Sequence, residues 1–324
     1  MNSTYSKKFG NGRIWLCVAA VLVGMVFALG SATPSHAQAL GWEGETGVFV
    51  TPLAYTASAE NQKIHAVAAY HFFGAGPVIG DFHEASIEIG IGKRFEFGYT
   101  HEFHTFGTYL QGTNTPNPGL SDDWQNGFEI FNGKVNLLPE NYAKTKWVPA
   151  ISAGFMARAN VRNVGNYVAA ELNKNVPEMT GKTNGDIYVV ATKVVPTKPI
   201  PIVLNFGVRG TDAELWGMGG NAPNWQARAF GAVAFVFKGP DKSTIIFGSE
   251  ASQQPHHPYM FDGTAPVSFT LNIPTTLTYC VRFIPSPKHK LNFDFGIAQV
   301  AGEINPLVNL KARHQAGFQV SYGF

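Results

Sequence analysis

The feature that most constrains the fold of this chain is an alternation of apolar and polar residues with a period of two. It is longest at the C-terminus, where the even-numbered positions from Val308 to Phe324 are mostly apolar and the odd-numbered positions are polar or glycine. The same alternation returns at 63–72, 87–103 and 202–209. Successive side chains of a β-strand point to opposite faces, so each segment is predicted to be a strand with one apolar face.

The composition indicates how such strands would be used. Hydrophobic residues make up 45% of the chain and charged residues 14%, whereas average soluble domains carry about 25% charged residues. After the first 29 residues, however, no apolar run approaches the roughly 20 residues of a membrane-spanning helix. A closed barrel is the other way to pair every backbone group in lipid. The prediction is therefore an all-β protein, an antiparallel transmembrane β-barrel.

Residues 1–37 are predicted to be a cleaved signal peptide. Three basic residues precede an apolar run from Ile14 to Leu29, and Ser35-His36-Ala37 supplies the small residues of a cleavage site. Cleavage would change the formal charge from +2 to about −1, so nothing favours nucleic-acid binding. Cys280 would then be the only cysteine, which excludes an intrachain disulfide.

The lengths of the connections predict the topology. Bacterial barrels pair short periplasmic turns with long extracellular loops, and about 12 strands, with a range of ten to fourteen, satisfy this alternation. Short connections are predicted at Gly92 to Arg94, Pro139 to Lys146, Val195 to Pro199, Gly239 to Lys242 and Ile284 to Lys288, and longer ones at Gly74 to Glu84, Thr105 to Asn126, Arg162 to Gly185, Gly210 to Asn224 and Ala251 to Ala265.

Two parts of this scheme depend on further choices. The count of twelve requires Val267 to Phe283 to be one long strand bent at Pro274, although proline inside a strand is normally confined to edges and bulges. The barrel would then occupy residues 63–324. Residues 38–62 are left over, and the sequence leaves open whether they form a periplasmic tail, a plug or an extra strand.

The parity of the predicted strands directs a set of charged residues into the lumen, because a charge facing lipid is too costly. Acidic and basic walls could create a transverse field that aligns solutes in a pore. The alternative is that the charges pair with each other and fill the lumen. The candidates are Glu88, Arg94, Glu96, Glu102, Arg158, Arg209, Arg228, Arg282, Asp294, Lys311 and Arg313.

No pattern predicts catalysis, a cofactor or a metal. In a strand, His101 and Glu102 point to opposite faces, and His256-His257 lies between prolines in a predicted loop. No local motif places a nucleophile beside a base. We therefore expect no enzyme activity, although a triad assembled in space at the extracellular rim remains an alternative.

Three stretches of the mature chain resemble a family of bacterial outer-membrane barrels catalogued only as a domain of unknown function. The resemblance spans most of the mature chain and implies a barrel, but it brings no catalytic or ligand residue. The stretches are Gly41-Trp42-Glu43-Gly44 with Thr51-Pro52-Leu53-Ala54-Tyr55, Trp147-Val148-Pro149-Ala150-Ile151-Ser152-Ala153-Gly154 and Asp186-Ile187-Tyr188-Val189-Val190-Ala191-Thr192-Lys193.

The C-terminus fits a barrel-assembly signal in part. Tyr322 and Phe324 match it, whereas Gln319 stands where such signals commonly have glycine. The expected partners are therefore outer-membrane lipid, periplasmic chaperones and the barrel-assembly machinery, and the oligomeric state stays open.

The leading functional hypothesis is a passive outer-membrane pore for small solutes. A barrel of this size leaves room that side chains alone do not necessarily fill. The alternative is a non-conducting barrel with the N-terminal segment in its lumen, which serves as an anchor or as a port for hydrophobic compounds. Inward apolar positions such as Phe230 and Val236 favour that second idea.

Overall fold

Twelve antiparallel strands form a closed barrel in this computed structural model, which confirms the predicted fold class and strand number. The predicted signal peptide lies outside the residues that the structure describes. These are 39–58, 63–76, 80–106, 127–161, 183–259, 269–271, 273–285, 290–299, 301–305 and 308–324.

The barrel strands follow each other around the wall in chain order, and the first strand closes on the last. They are β1 Ile64–Gly74, β2 Gly80–Ile91, β3 Phe95–Phe106, β4 Phe128–Leu138, β5 Ala150–Ala159, β6 Thr183–Val195, β7 Ile202–Glu214, β8 Gly220–Lys238, β9 Thr244–Ser252, β12 Thr276–Ile284, β13 Leu291–Gln299 and β16 Gln315–Gly323. Two small sheets lie outside this ladder, one pairing β10 His257–Tyr259 with β11 Phe269–Leu271 and one pairing β14 Ala301–Asn305 with β15 Val308–Ala312. Among the described residues no helix is long and apolar enough to cross a membrane.

The period-two pattern determines which side chains face lipid. In β3, Phe95 and Phe97 are more than half exposed, whereas Glu96 and Glu102 on the opposite face are buried. The outer surface of the barrel is accordingly apolar and the inner surface polar, as expected for a strand that crosses a bilayer. The inner face of the wall therefore carries polar and charged side chains, whereas the outer face carries apolar ones.

The first barrel strand begins and the last barrel strand ends at the end of the barrel that carries the short turns. The turn from β2 to β3 uses left-handed backbone at Gly92 and Lys93, which a tight hairpin requires. The Phe324 amide donates to the Ala66 carbonyl oxygen at 2.8 Å, and the Gly92 amide donates to that of Lys63 at 2.9 Å. In bacterial barrels this short-turn end is the periplasmic one.

Two segments predicted as long strands are each divided in the structure. Residues 308–312 pair with β14, and the barrel strand begins only at Gln315 after a bend at Arg313 and His314. Val267 to Phe283 is likewise interrupted, because β11 pairs with β10 and the barrel strand begins at Thr276, just after Pro274. Proline has no N–H to donate to a ladder, so the strand ends there. The count of twelve is unaffected, because the displaced pieces lie beyond the same rim.

Two predicted long loops are shorter than expected. Strand β2 already begins at Gly80, and Glu84 is one of its inward residues. Strands β7 and β8 extend to Glu214 and from Gly220, so that only residues 215–219 connect them. The cause is that the inner face of a membrane strand is polar, and polar inward positions near a rim are hard to distinguish from loop residues.

Candidate functional site: the barrel lumen

The lumen contains residues 39–58, which we call the lumen segment. All of them are buried except Val48, Leu53 and Tyr55, which are partly buried. Leu40 contacts Ser321 near the end of β16, with its amide 3.3 Å from the Ser321 hydroxyl. The hydroxyl of Ser58 donates to the carbonyl oxygen of Lys63, just before β1, at 3.1 Å. The segment therefore enters and leaves the barrel at the short-turn end.

Inside the barrel the lumen segment folds back on itself. Isolated bridges join Leu40 to Thr46 and Gly47 to Pro52, and the Trp42 amide donates to the Phe49 carbonyl oxygen at 2.8 Å. Gly44 has a φ of 91°, and a Cβ there would overlap the hydroxyl of Thr100 on β3. Only glycine therefore allows the first turn to lie this close to the wall.

Glu250 on β9 holds the second turn. Its carboxylate accepts hydrogen bonds from the backbone amides of Phe49, Val50 and Thr51 at 3.0, 2.9 and 2.8 Å. The Thr51 hydroxyl donates to the same carboxylate at 2.6 Å. Successive backbone N–H groups that converge in this way form an anion-binding concavity, which Glu250 occupies.

An arginine buried in the wall holds the first turn. Arg158 on β5 donates from Nε to Glu43 at 2.5 Å and from Nη2 to Asp186 on β6 at 2.8 Å. All three side chains are almost fully buried. One guanidinium thus joins two wall strands to the lumen segment, with the paired geometry that makes a buried charge tolerable.

A lysine and a glutamate on neighbouring strands hold Thr46. Glu96 on β3 accepts from the Thr46 amide at 3.1 Å and from its hydroxyl at 2.7 Å. Lys134 on β4 donates to the Thr46 carbonyl oxygen at 2.9 Å and lies 2.6 Å from Glu96. The Ala57 amide also donates to Glu96, at 2.7 Å. Glu96 and Lys134 therefore hold two parts of the lumen segment together, one at Thr46 and one at Ala57.

Neutral polar side chains hold the part nearest the short-turn end. The Thr192 hydroxyl accepts from the Ala54 amide at 2.7 Å, and the carbonyl oxygen of Ala54 accepts from Asn136 at 2.9 Å and from Ser152 at 2.6 Å. The Tyr55 hydroxyl donates to Glu140, in a short turn, at 2.9 Å. A cavity of about 260 Å³ beside Tyr55 and Glu140 remains at this mouth.

Phe49 packs against a row of small residues in the wall. A Cβ added to Gly296 or Gly317 would lie 3.0–3.1 Å from its ring. These glycines pair with each other, and Gly296 also pairs with Cys280. The aromatic ring therefore fits only because β13 and β16 carry no side chain at this level.

The lumen is closed toward the long-loop end as well. The connection between β7 and β8 places Leu215, Trp216 and Met218 in buried positions. A gap of about 10 Å³ separates Trp216 and Met218 from Trp42. Roughly this volume is needed for one water molecule. The described residues thus leave no open path along this part of the lumen.

One wall is acidic, and most of its carboxylates have no cationic partner among the described residues. It comprises Glu84 and Glu88 on β2 and Glu96 and Glu102 on β3, all buried, and we call it the acidic wall. Glu84 and Glu102 stand directly opposite each other in the ladder. Among the described residues only Glu96 has an ion pair, with Lys134. No described residue donates a hydrogen bond to either carboxylate oxygen of Glu84.

The predicted lumen-facing charges divide into two groups. Most of them are buried on the inner face or partly buried there, namely Glu88, Glu96, Glu102, Arg158, Arg209, Arg228, Arg282 and Asp294. Arg94 is exposed in the first short turn and donates to the Asn136 carbonyl oxygen at 3.0 Å. Lys311 belongs to β15 and Arg313 to the following bend, so neither is part of the barrel wall. The sequence predicted Lys311 and Arg313 to face inward because the alternation of apolar and polar residues continues unchanged across that bend.

Sequence reasoning missed several residues that hold the lumen segment. Lys134 could have been found, because Asn132, Lys134 and Asn136 alternate along β4 as inward polar positions. Glu250 could have been found in the same way, as an inward polar position of β9. Glu43 had no comparable signal, since the lumen segment has no strand periodicity.

The structure also places the predicted assembly residues. The rings of Tyr322 and Phe324 make an edge contact with centroids 5.3 Å apart, and Phe324 is 45% exposed at the short-turn end. Gln319 lies inside the lumen and donates to the Leu40 carbonyl oxygen at 2.9 Å. A glycine at this position could not make that contact.

Taken together, an apolar exterior, a closed ladder of twelve strands and a polar inner face define a transmembrane β-barrel. A scan against protein-family models matches no family, and a search of curated proteins returns no match. Several solved barrels are similar in fold. An outer membrane channel from Pseudomonas putida matches with a TM-score of 0.43 and 9% identity over 85% of this chain and 100% of that chain. The KdgM porin matches with 0.40 and 9% over 80% and 99%, and the NanC porin with 0.38 and 6% over 80% and 98%.

Proposed function

We propose that this protein is an outer-membrane channel for small solutes that its own N-terminal segment closes. In this proposal the lumen segment is a plug, and the resting barrel does not conduct. The channel opens when the plug withdraws through the short-turn end. The lumen segment enters and leaves the barrel at the short-turn end. It can therefore withdraw as a loop, and neither of its ends has to pass through the barrel.

The observation that carries the proposal is the acidic wall. An unpaired ionised carboxylate in a dry interior costs several kcal/mol, and Glu84 lies opposite Glu102 with no cation beside it among the described residues. A barrel that served only as an anchor would be more stable with apolar residues at these positions. In a lumen filled with water the same carboxylates are solvated, so their presence favours an open, hydrated state.

The character of the contacts between plug and wall supports withdrawal. Most of them are hydrogen bonds between wall side chains and the backbone of the segment, as at Asn136 and Ser152. Water can replace such hydrogen bonds, whose net contribution is only about 0.5–1.5 kcal/mol each when neutral. The apolar contacts that water cannot replace are made chiefly by the two large buried side chains of the segment, Trp42 and Phe49.

A second candidate is a permanently filled, non-conducting barrel. The close fit around Trp42 and Val50, with gaps of about 10 Å³, favours it. The two candidates predict opposite results for any change that prevents docking of the segment without altering the wall.

Gly44→Val is such a change, because its side chain would overlap Thr100 and it would adopt an unfavourable positive φ. We expect the full mature chain to be silent in a planar bilayer and Gly44→Val to give steady ohmic steps. Val48→Thr, at a partly buried position in the same segment, is the matched control and should stay silent. A chain lacking residues 38–62 should conduct like Gly44→Val.

Heat-modifiable mobility shows whether each variant is a folded barrel. If the Gly44→Val barrel and the shortened barrel are both folded and both silent, the channel is refuted and the filled barrel stands. Steps of equal size from the unaltered chain would show instead that the lumen segment does not close the pore.

A further inference from the structure

We infer that the open channel is selective for cations and that its substrates are positively charged small solutes. This inference rests on the proposed channel, since it concerns the lumen after the plug has left. The argument starts from the charges that the wall itself contributes.

The barrel strands carry more buried acidic residues than inward-facing basic residues. Among the described residues the buried acids number eight and the inward basic residues, buried or half-buried, number five. The acids are Glu84, Glu88, Glu96, Glu102, Asp186, Glu214, Glu250 and Asp294, and the basic residues are Lys134, Arg158, Arg209, Arg228 and Arg282.

The excess is concentrated on one side. Strands β1, β2 and β3 contain no lysine or arginine, yet they supply half of the eight acids. On the other strands the charges are mostly paired, as Arg158 is with Asp186 and Arg282 is with Asp294 at 2.7 Å. The net negative charge of the open lumen would therefore come from the acidic wall.

A further hydrogen-bond acceptor of the wall lies in this region. Asn132 on β4 stands opposite Gly98, over which the carboxylate of Glu88 lies. Its side-chain oxygen is buried and accepts no hydrogen bond from a described residue, like the carboxylates of Glu84, Glu88 and Glu102. A wall with three unpaired carboxylates and this additional acceptor is complementary to ammonium groups and hydrated metal cations, and it repels anions.

The geometry also limits the kind of cation. No three His, Cys, Asp or Glu side chains within the described ranges converge to coordinate a metal ion. The carboxylates are spread along the wall from Glu88, whose carboxylate lies over Gly98, to Glu84 and Glu102. Such a stripe suits cations that keep their hydration and pass from one carboxylate to the next, as conduction requires.

The test measures the reversal potential of Gly44→Val in a KCl gradient across a planar bilayer. We expect a preference for K⁺ over Cl⁻ of several fold at low salt, which decreases as the salt concentration rises because the Debye length shortens. Adding Glu84→Gln, Glu88→Gln and Glu102→Gln to the same chain should abolish most of this preference without closing the pore.

Glu129→Gln is the matched control, because Glu129 lies on the outer face of β4, where its side chain is 27% exposed. It removes one carboxylate and should leave the reversal potential unchanged. Steps with no ion preference, or with a preference for Cl⁻, would overturn the inference and leave the channel intact. A preference that survives the triple substitution would also overturn it. A folded Gly44→Val barrel without steps would refute the channel and this inference with it.

Discussion

Removal of the Glu250 carboxylate should release the lumen segment. Glu250 accepts four hydrogen bonds at 2.6–3.0 Å from three consecutive residues of the segment. In Glu250→Ala the three backbone amides and the Thr51 hydroxyl lose their acceptor, while the wall loses one side chain. No other contact of the segment concentrates as many hydrogen bonds on one group among the described residues.

The magnitude follows from the kind of bond. Hydrogen bonds to a charged group contribute about 1.5–3 kcal/mol each, and an unsatisfied buried donor costs about 1–3 kcal/mol. The four bonds share one carboxylate and are not additive, so we take about 3 kcal/mol as the lower bound. Since every 1.4 kcal/mol is a factor of ten, the docking equilibrium should shift by roughly 100-fold or more.

Two assays measure this shift. Open probability in planar bilayers should rise at least tenfold, and the segment should become accessible to a protease added to the short-turn side of reconstituted vesicles. Glu250→Gln keeps one acceptor oxygen and should give an intermediate result. Ser249→Ala, at the neighbouring position on the lipid-facing side of β9, is the control. A folded Glu250→Ala barrel that is closed and as resistant to protease as the unaltered chain would refute the reasoning.

Three further perturbations test other parts of the structure. Arg158→Met leaves the buried carboxylate of Glu43 without its ion-pair partner and leaves Asp186 with the more distant Arg209, at 3.5 Å. It should destabilise the barrel by about 3–5 kcal/mol. We expect a lower thermal unfolding temperature that adding Glu43→Gln partly restores, and an unchanged one would contradict the pairing. Burial, with Glu43 beside it, raises the pKa of Glu45 well above its ordinary value. The docked segment therefore holds a proton that the released segment gives up, so docking is strongest at low pH and weakens as the pH rises toward that raised pKa. Open probability should increase with pH, and Glu45→Gln should flatten the increase. Phe324→Ser should lower the amount of heat-modifiable barrel in the outer membrane, and unchanged levels would count against Phe324 as the closing residue.

The barrel itself was predictable because lipid imposes a simple rule on its strands. A strand in lipid must turn apolar side chains outward, so period-two patterns such as that of β3 report both secondary structure and orientation. The same rule placed Glu96, Arg158 and Asp294 on the inner face. It fails beyond the rim, where lipid no longer acts on the chain, and this is why Lys311 was assigned to the wall.

The lumen segment could not be deduced in the same way. Its contacts join residues far apart in the chain, such as Thr51 with Glu250 and Leu40 with Gln319. No periodicity marks it, since it has neither a lipid face nor a regular ladder of its own. The sequence showed only that residues 38–62 were left over once the strands had been counted.

The hydrogen bonds place most of the docking specificity in the wall and little of it in the segment. Wall side chains bind mainly backbone groups of the segment, as Glu250, Asn205 and Gln319 do. Many sequences could supply those backbone groups. Fewer hydrogen bonds depend on side chains of the segment, chiefly those of Glu43 with Arg158 and of the Thr46 and Thr51 hydroxyls with Glu96 and Glu250. Substitutions in the wall should therefore alter closure more often than substitutions in the segment, which is the opposite of what a plug held by apolar packing would show.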